Sequence, residues 1–166
     1  LYRYVAEWKK RLMFENELSI AKKIQESFLP KGVPEIEGVE IAKGMFTAHQ
    51  VGGDLYDFLN FTDSRLGIMI GDVSGKGIPA SLFMAMVTGE FKFFSGEDTR
   101  PQETLLNLNE KLIKDSTSNL FVTMYYLALD MARHTIAYAN GGHLPMLRLS
   151  KDGAEFLDVM EGAPLG

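Results

Sequence analysis

Cysteine is absent from the 166-residue chain, which excludes disulfides, thiolate metal sites and thiol-based catalysis, and fits the cytoplasm as the expected location. No apolar run approaches the length that spans a bilayer, and the opening Leu1-Tyr2-Arg3-Tyr4 lacks a signal-peptide pattern, so no membrane association is expected. Positive charge is also short. Lys and Arg number 17 against 22 Asp and Glu, a net charge of -5 with a pI near 5.2, so the basic face of a nucleic-acid-binding protein is not expected. The initiating methionine is missing too, and the chain is expected to be cut from something longer. What is present is a 46% hydrophobic content, enough for one domain with a sizeable core.

The most informative stretch is Gly71-Asp72-Val73-Ser74-Gly75-Lys76-Gly77-Ile78-Pro79. Leu66 to Ile70 has the branched, apolar character of a buried strand, so Asp72 arrives at or just past its end. A carboxylate there needs a metal ion, a basic residue or backbone N–H donors as partner. The glycines allow positive φ and close backbone approach, and Pro79 suits the first turn of a following helix. Upstream, Val51-Gly52-Gly53-Asp54-Leu55-Tyr56-Asp57-Phe58 places a second acid after glycines. Two strand-end carboxylates resemble the oxygen ligands of a hard divalent cation, although a Gly-Gly-Asp taken alone is more often only a turn. A phosphate-binding nucleotide loop is excluded by spacing: three residues separate Gly71 from Gly75, and Lys76 is followed by Gly77 instead of Ser or Thr.

Around these motifs, Leu1 to Leu29 reads as one helix whose apolar stripe changes phase between Leu12 and Phe14. Val5, Trp8 and Leu12 suit a coiled-coil or dimer seam, and Leu18, Ala21, Ile24 and Phe28 a face packed on the following domain; a single amphipathic helix covering its own domain is the alternative. Pro30, Gly32 and Pro34 end it. Strands are expected at Val39–Phe46, across VGGDLYDF and across LGIMIGDV, then helices from Pro79 to about Phe94 and Pro101 to about Lys114. Further strands are expected at Leu120–Asp130, His134–Asn140, Leu144–Leu149 and Ala154–Val159. The Met- and Phe-rich stripe of the first of these helices reads as core. This order points to an α+β layered domain of antiparallel sheets.

Together with Phe121-Val122-Thr123-Met124, Asn140-Gly141-Gly142-His143-Leu144-Pro145 and Gly162-Ala163-Pro164-Leu165-Gly166, the two acidic motifs resemble the bacterial PPM-type serine/threonine phosphatases of the sporulation stage II protein E and stress-sigma-factor-regulator group. The resemblance runs from about Glu17 to the last residue. It implies a four-layered α-β-β-α sandwich, with a partial catalytic domain at 30–166 and a linker or stalk helix at 1–29 that joins an upstream sensor or receiver domain. It also implies two-metal hydrolysis, with Mn or Mg, of phosphoserine or phosphothreonine on a regulatory protein such as an anti-sigma-factor antagonist, without a covalent phosphoenzyme. By the same resemblance Asp72 bridges the metals, the Val73 carbonyl and Asp54 complete ligands, Gly75 and Lys76 face the substrate phosphate, and Asp57, Ser74 and His143 stand behind. Lys76 reads equally as a solvated side chain and His143 as the brace of a tight turn. His49 precedes VGGD closely enough to face the site, and Arg65 and Lys43 read as surface residues.

Two departures set further expectations. Ser74 stands where animal members carry a histidine, so a leaving alkoxide needs another proton donor. The family continues past Pro-Leu-Gly with a strand, a Thr-Asp-Gly segment and a later Asp, whereas this sequence stops at Gly166. Roughly half a two-metal site, weak metal binding and little turnover are therefore expected. An open sheet edge, or the first helix, is expected to favour a homodimer. A catalytically silent module for protein binding and a dimerising signalling helix are the competing readings.

Overall fold

A computed structural model describes residues 2–47, 50–115, 119–157 and 162–166. The fold is built outward from a hairpin, β1 (Asp54–Thr62) and β2 (Arg65–Val73), closed at the Asp63-Ser64 turn. β3 (Val122–Asp130) pairs antiparallel with β2, and β4 (Thr135–Gly141) with β3, giving a four-stranded sheet in the order β1-β2-β3-β4. Because strand side chains alternate, Leu55, Met69, Val73, Met124 and Tyr126 share one face. The connection between β2 and β3 lays two helices on it, α2 (Gly77–Phe94) and α3 (Pro101–Asp115). Their apolar sides contribute Phe83, Met84, Val87, Phe91, Leu105, Leu108 and Leu112 to the core. Phe91 meets Tyr126 edge to face, with centroids 4.9 Å apart. The Met- and Phe-rich stripe of α2 is thus core at Phe83, Met84, Val87 and Phe91, whereas Leu82, expected in the same stripe, is 67% exposed because it points off that face.

The opposite face of the sheet carries Asp54, Tyr56, Ile70, Asp72, Thr123 and Ile136, with Ile70 and Ile136 about half exposed. The α+β, antiparallel expectation holds. Of the implied sandwich, the described residues form a helix layer and a sheet layer, plus a separate hairpin of β5 (Met146–Ser150) and β6 (Gly153–Leu157) that packs on no other described element. Val159, expected at the end of that last strand, lies outside the described residues.

One expected strand is not there. From Glu40 to Thr47 the backbone is irregular, and only an isolated Ile36–Val39 bridge precedes it. An extended segment needs a partner for its main-chain groups. Among the described residues no strand lies alongside this one, and the apolar Phe46 is 96% exposed.

α1 (Tyr2–Phe28) does not divide as its phase change predicts: of the expected packing face Leu18 and Ala21 are partly buried, but Ile24 and Phe28 are 56% and 38% exposed. Val5, Trp8 and Leu12 are exposed, while near its end Gln25 is buried. The Gln25 carboxamide grips the Gly52 backbone twice: Nε2 donates to the carbonyl at 2.5 Å, and the Gly52 N–H donates to Oε1 at 3.1 Å. This clamp ties α1 to the loop that delivers Asp54. No helix among the described residues is long and apolar enough to cross a membrane.

Candidate functional site

Asp54 opens β1 and Asp72 is the penultimate residue of β2, and the register sets them directly opposite each other on the open face. Such pairs bring Cβ atoms to about 4.5–5.5 Å, close enough for two like charges to repel measurably. Thr123 of β3 faces Asp72 from the other side, and its hydroxyl lies 3.3 Å from the Asp72 carbonyl oxygen. The same hydroxyl is 2.8 Å from His143 Nδ1, so its single proton serves one of two acceptors. Asp54, Asp72, Thr123 and His143 therefore form one row across the end of the sheet.

His143 is held there by its own turn. The Asn140 carboxamide accepts from the His143 N–H at 2.7 Å and donates to its carbonyl at 3.0 Å. Gly142 between them has φ +70°, and a Cβ there would sit 2.7 Å from the Pro164 nitrogen. The Pro164–Gly166 segment is in turn fastened to β3, since Leu165 and Val122 exchange two backbone hydrogen bonds of 2.9 Å. Bracing, expected for His143, is what these bonds do, but its ring also reaches the acid row.

The electrostatics follow from this crowding. Although its side chain reaches solvent, partial desolvation pushes the Asp72 pKa up, and the charge and hydrogen bond of Asp54 push it further, with His143 opposing. Burial pushes His143 down, against the pull of Asp72 and Asp54. A proton or a cation between the two carboxylates relieves their repulsion.

The loop after Asp72 is shaped around Gly53. The Val73 N–H donates to the Gly53 carbonyl at 3.3 Å, and a Cβ on Gly53 would stand 2.7 Å from the Val73 carbonyl oxygen. Only glycine lets that oxygen lie beside Asp54. The donor set is thus two carboxylates and a carbonyl, all hard oxygens, which fits one edge of a Mg or Mn site. It falls short of a full shell: among the described residues no group of three or more His, Cys, Asp or Glu is placed to hold a metal.

The remaining candidates are dispersed. Ser74 locks the loop to the start of β3, its N–H donating to the Phe121 carbonyl at 2.8 Å and its Oγ accepting from the Phe121 N–H at 3.0 Å. Lys76 caps α2 in an extended conformation between Gly75 and Gly77, whose φ angles are +89° and +68°. Its side chain forms no ion pair among the described residues. Asp57 lies on the helix face, away from Asp54 and Asp72, 3% exposed and paired with Lys92 Nζ of α2 at 2.9 Å. It is three positions along the strand from Asp54, and that odd offset turns it to the opposite side. Arg65 and Lys43 lie toward the surface as expected, and His49 falls outside the described residues. Sequence reasoning missed Thr123 and Asn140. Both sit in motifs already singled out, but only the strand register and the turn reveal what they touch.

The pattern of the family described as Stage II sporulation protein E (SpoIIE) matches residues 62–166. Phosphoserine phosphatase RsbU of Bacillus subtilis is 33% identical over 153 residues, covering 92% of this chain and 45% of the relative. Phosphoserine phosphatase RsbP of the same organism is 29% identical, covering 94% and 40%. The chain thus spans less than half the length of these curated relatives. Among solved structures, the RsbU and RsbW domains of Rv1364c from Mycobacterium tuberculosis superpose with a TM-score of 0.63 at 27% identity, covering 72% of this chain and 33% of that one. The SiaA-PP2C domain of Pseudomonas aeruginosa superposes with a TM-score of 0.72 over 95% of this chain and 64% of that one, at 17% identity, a likeness of fold alone. A match over most of the chain, joined to the paired acids at the sheet end, makes this protein a member of the stage II sporulation protein E (SpoIIE) family.

Proposed function

We propose that residues 30–166 belong to a metal-dependent serine/threonine phosphatase domain that acts in the cytoplasm on a phosphorylated regulatory protein, an anti-sigma-factor antagonist. The observation that carries this reading is the direct opposition of Asp54 and Asp72 on the open sheet face. The phosphoserine phosphatase names of RsbU and RsbP support the reaction class. In this reading Asp54, Asp72 and the Val73 carbonyl hold Mn or Mg, which when bound supplies Lewis-acid activation of water and screening of phosphate charge. Gly75 and Lys76 offer backbone and cationic contacts to the phosphate. Thr123 and His143 hold the Asp72 backbone at a fixed height, with Asn140 fixing His143. The exposed half of α1 serves as the stalk to an upstream sensor or receiver domain and as a homodimer seam.

Manganese titration by calorimetry, with phosphoserine-peptide hydrolysis in parallel and Asp72→Ala as control, tests the reading. Metal binding and turnover that both vanish in Asp72→Ala are expected from a chain carrying the whole catalytic set, and weak binding with little turnover from one carrying part of it. Turnover unchanged in Asp72→Ala overturns the assignment. The absence of a third acid beside the pair among the described residues favours one alternative, a silent module that binds its partner without hydrolysis. Partner binding that is independent of both metal and Asp72 would establish that alternative.

A further inference from the structure

A groove of about 400 Å³ runs between the C-terminal turns of α1 and the irregular segment before β1, and it concentrates positive charge on an acidic protein. Lys22, Lys31 and Lys43 line it against one acid, Glu26, which pairs with Lys22 at 3.9 Å. Among the described residues Lys31 and Lys43 pair with no carboxylate. Lys43 is fixed in place: its ammonium donates to the Pro30 carbonyl and to the Tyr56 hydroxyl, the latter at 3.0 Å, and stands 5.2 Å from the Tyr56 ring centroid. The ammonium thus stands at the groove wall in contact with neutral groups alone.

The position of Tyr56 links this groove to the acid pair. It lies two residues beyond Asp54 on the same strand and therefore on the same face, about 7 Å along β1 at the usual strand rise. Gln50, just ahead of the Gly52 clamped by Gln25, lines the groove as well, so the wall and the acid pair belong to one continuous piece of backbone. An extended peptide advances about 3.3–3.6 Å per residue. With its phosphoresidue at Asp54 and Asp72, such a peptide running along β1 is level with Tyr56, where Lys43 sits, about two residues on.

We propose that this groove is the docking site for an acidic segment flanking the phosphoresidue of the protein substrate. The inference rests on the phosphatase reading and adds the chemistry of its substrate: Asp or Glu two to four residues from the phosphoserine, on one side. Without a cation the acid pair repels negative charge, so the acidic flank is directed to the lysines of the groove. A divalent cation at the acid pair carries the phosphate, and the lysines carry the flank.

The test uses the full chain with Mn2+ and three fluorescein-labelled phosphoserine peptides, whose flanks are acidic, neutral or basic, followed by fluorescence anisotropy at low and high salt. Two or three exposed ion pairs predict roughly 3- to 30-fold tighter binding of the acidic peptide than of the neutral one. The preference should shrink in about 0.5 M NaCl, where the screening length falls to a few ångströms. Lys22→Gln with Lys31→Gln should cut the preference to the few-fold or less that Lys43 alone supplies and leave the neutral peptide unaffected; Lys43 is spared because it also braces Pro30 and Tyr56. An acidic peptide that binds no tighter than the neutral one, or a preference undiminished in the double variant, overturns the proposal. So does binding of phosphatidylserine vesicles through these lysines without any peptide preference. Hydrolysis of the neutral peptide in the unmodified chain and in Asp72→Ala reports separately on the phosphatase reading: turnover unchanged in Asp72→Ala with an intact acidic preference removes that reading and leaves the groove, and Asp72-dependent turnover without the preference removes the groove alone.

Discussion

Replacing Asp72 by Asn removes one of two carboxylates that face each other across neighbouring strands, and should make the protein more stable at pH 7 while ending its metal binding. Two unit charges about 5 Å apart in water repel by about 0.8 kcal/mol, and both side chains reach solvent, so about 1 kcal/mol is the expected gain. For a chain of this size that is about 2–4 °C in Tm. The pH dependence has a definite sign. Burial and Asp54 hold the folded pKa of Asp72 above its ordinary value. Stability from this group is therefore full below the ordinary Asp range, about pH 4, and is lost as pH rises through the raised folded value. Asparagine does not ionise and escapes the loss, so the advantage of the variant should be present at pH 7 and gone at about pH 3.5. Thermal unfolding followed by circular dichroism in EDTA, at both pH values, measures it. Mn2+ should then raise the Tm of the unmodified protein and leave Asp72→Asn unmoved. A variant no more stable at pH 7, or one equally favoured at the lower pH, would refute the account of the acid pair as a strained, cation-seeking site.

Thr123→Val keeps the side-chain volume but removes the hydroxyl shared by the Asp72 carbonyl and His143. We expect a loss of about 1 kcal/mol in urea unfolding and manganese affinity weaker by roughly tenfold in calorimetry, with Thr123→Ser restoring both. Lys92→Met leaves the Asp57 carboxylate buried without its partner and should cost about 3 kcal/mol, the lower end of the range because Lys92 itself is half exposed. Adding Asp57→Asn should recover most of that cost in the same urea titration, and no recovery would mean that the ion pair is not what holds the site.

The helices show what a one-dimensional pattern can carry. Phe83, Met84 and Phe91 of α2 and Leu105, Leu108 and Leu112 of α3 repeat at helical spacing and are buried, while Phe93 and Leu106, off that face, are exposed. Local pattern failed at Val39–Phe46, because an extended segment becomes a strand only beside another strand, and that neighbour is not a property of the segment. The phase change in α1 suggested a packed second face, but Ile24 and Phe28 stay exposed and the Gln25 clamp on Gly52 makes the contact instead. A polar residue at an apolar-stripe position shows its purpose only when its partner, 27 residues away, is in place.

Within the site the division is the same. Residue type alone determined that Asp54 and Asp72 offer hard oxygen ligands, that glycines surround them, and that no thiol takes part. Tertiary structure decided which carboxylates meet. Asp54 and Asp72 come together because strand register aligns them, Asp57 is turned to the helix side by the alternation of a strand, and Thr123, His143 and Asn140 join because β3 and the turn after β4 end beside Asp72. Those are pairings between distant parts of the chain, fixed by backbone hydrogen bonds and the burial of one sheet face, and they exist only once the sheet has formed.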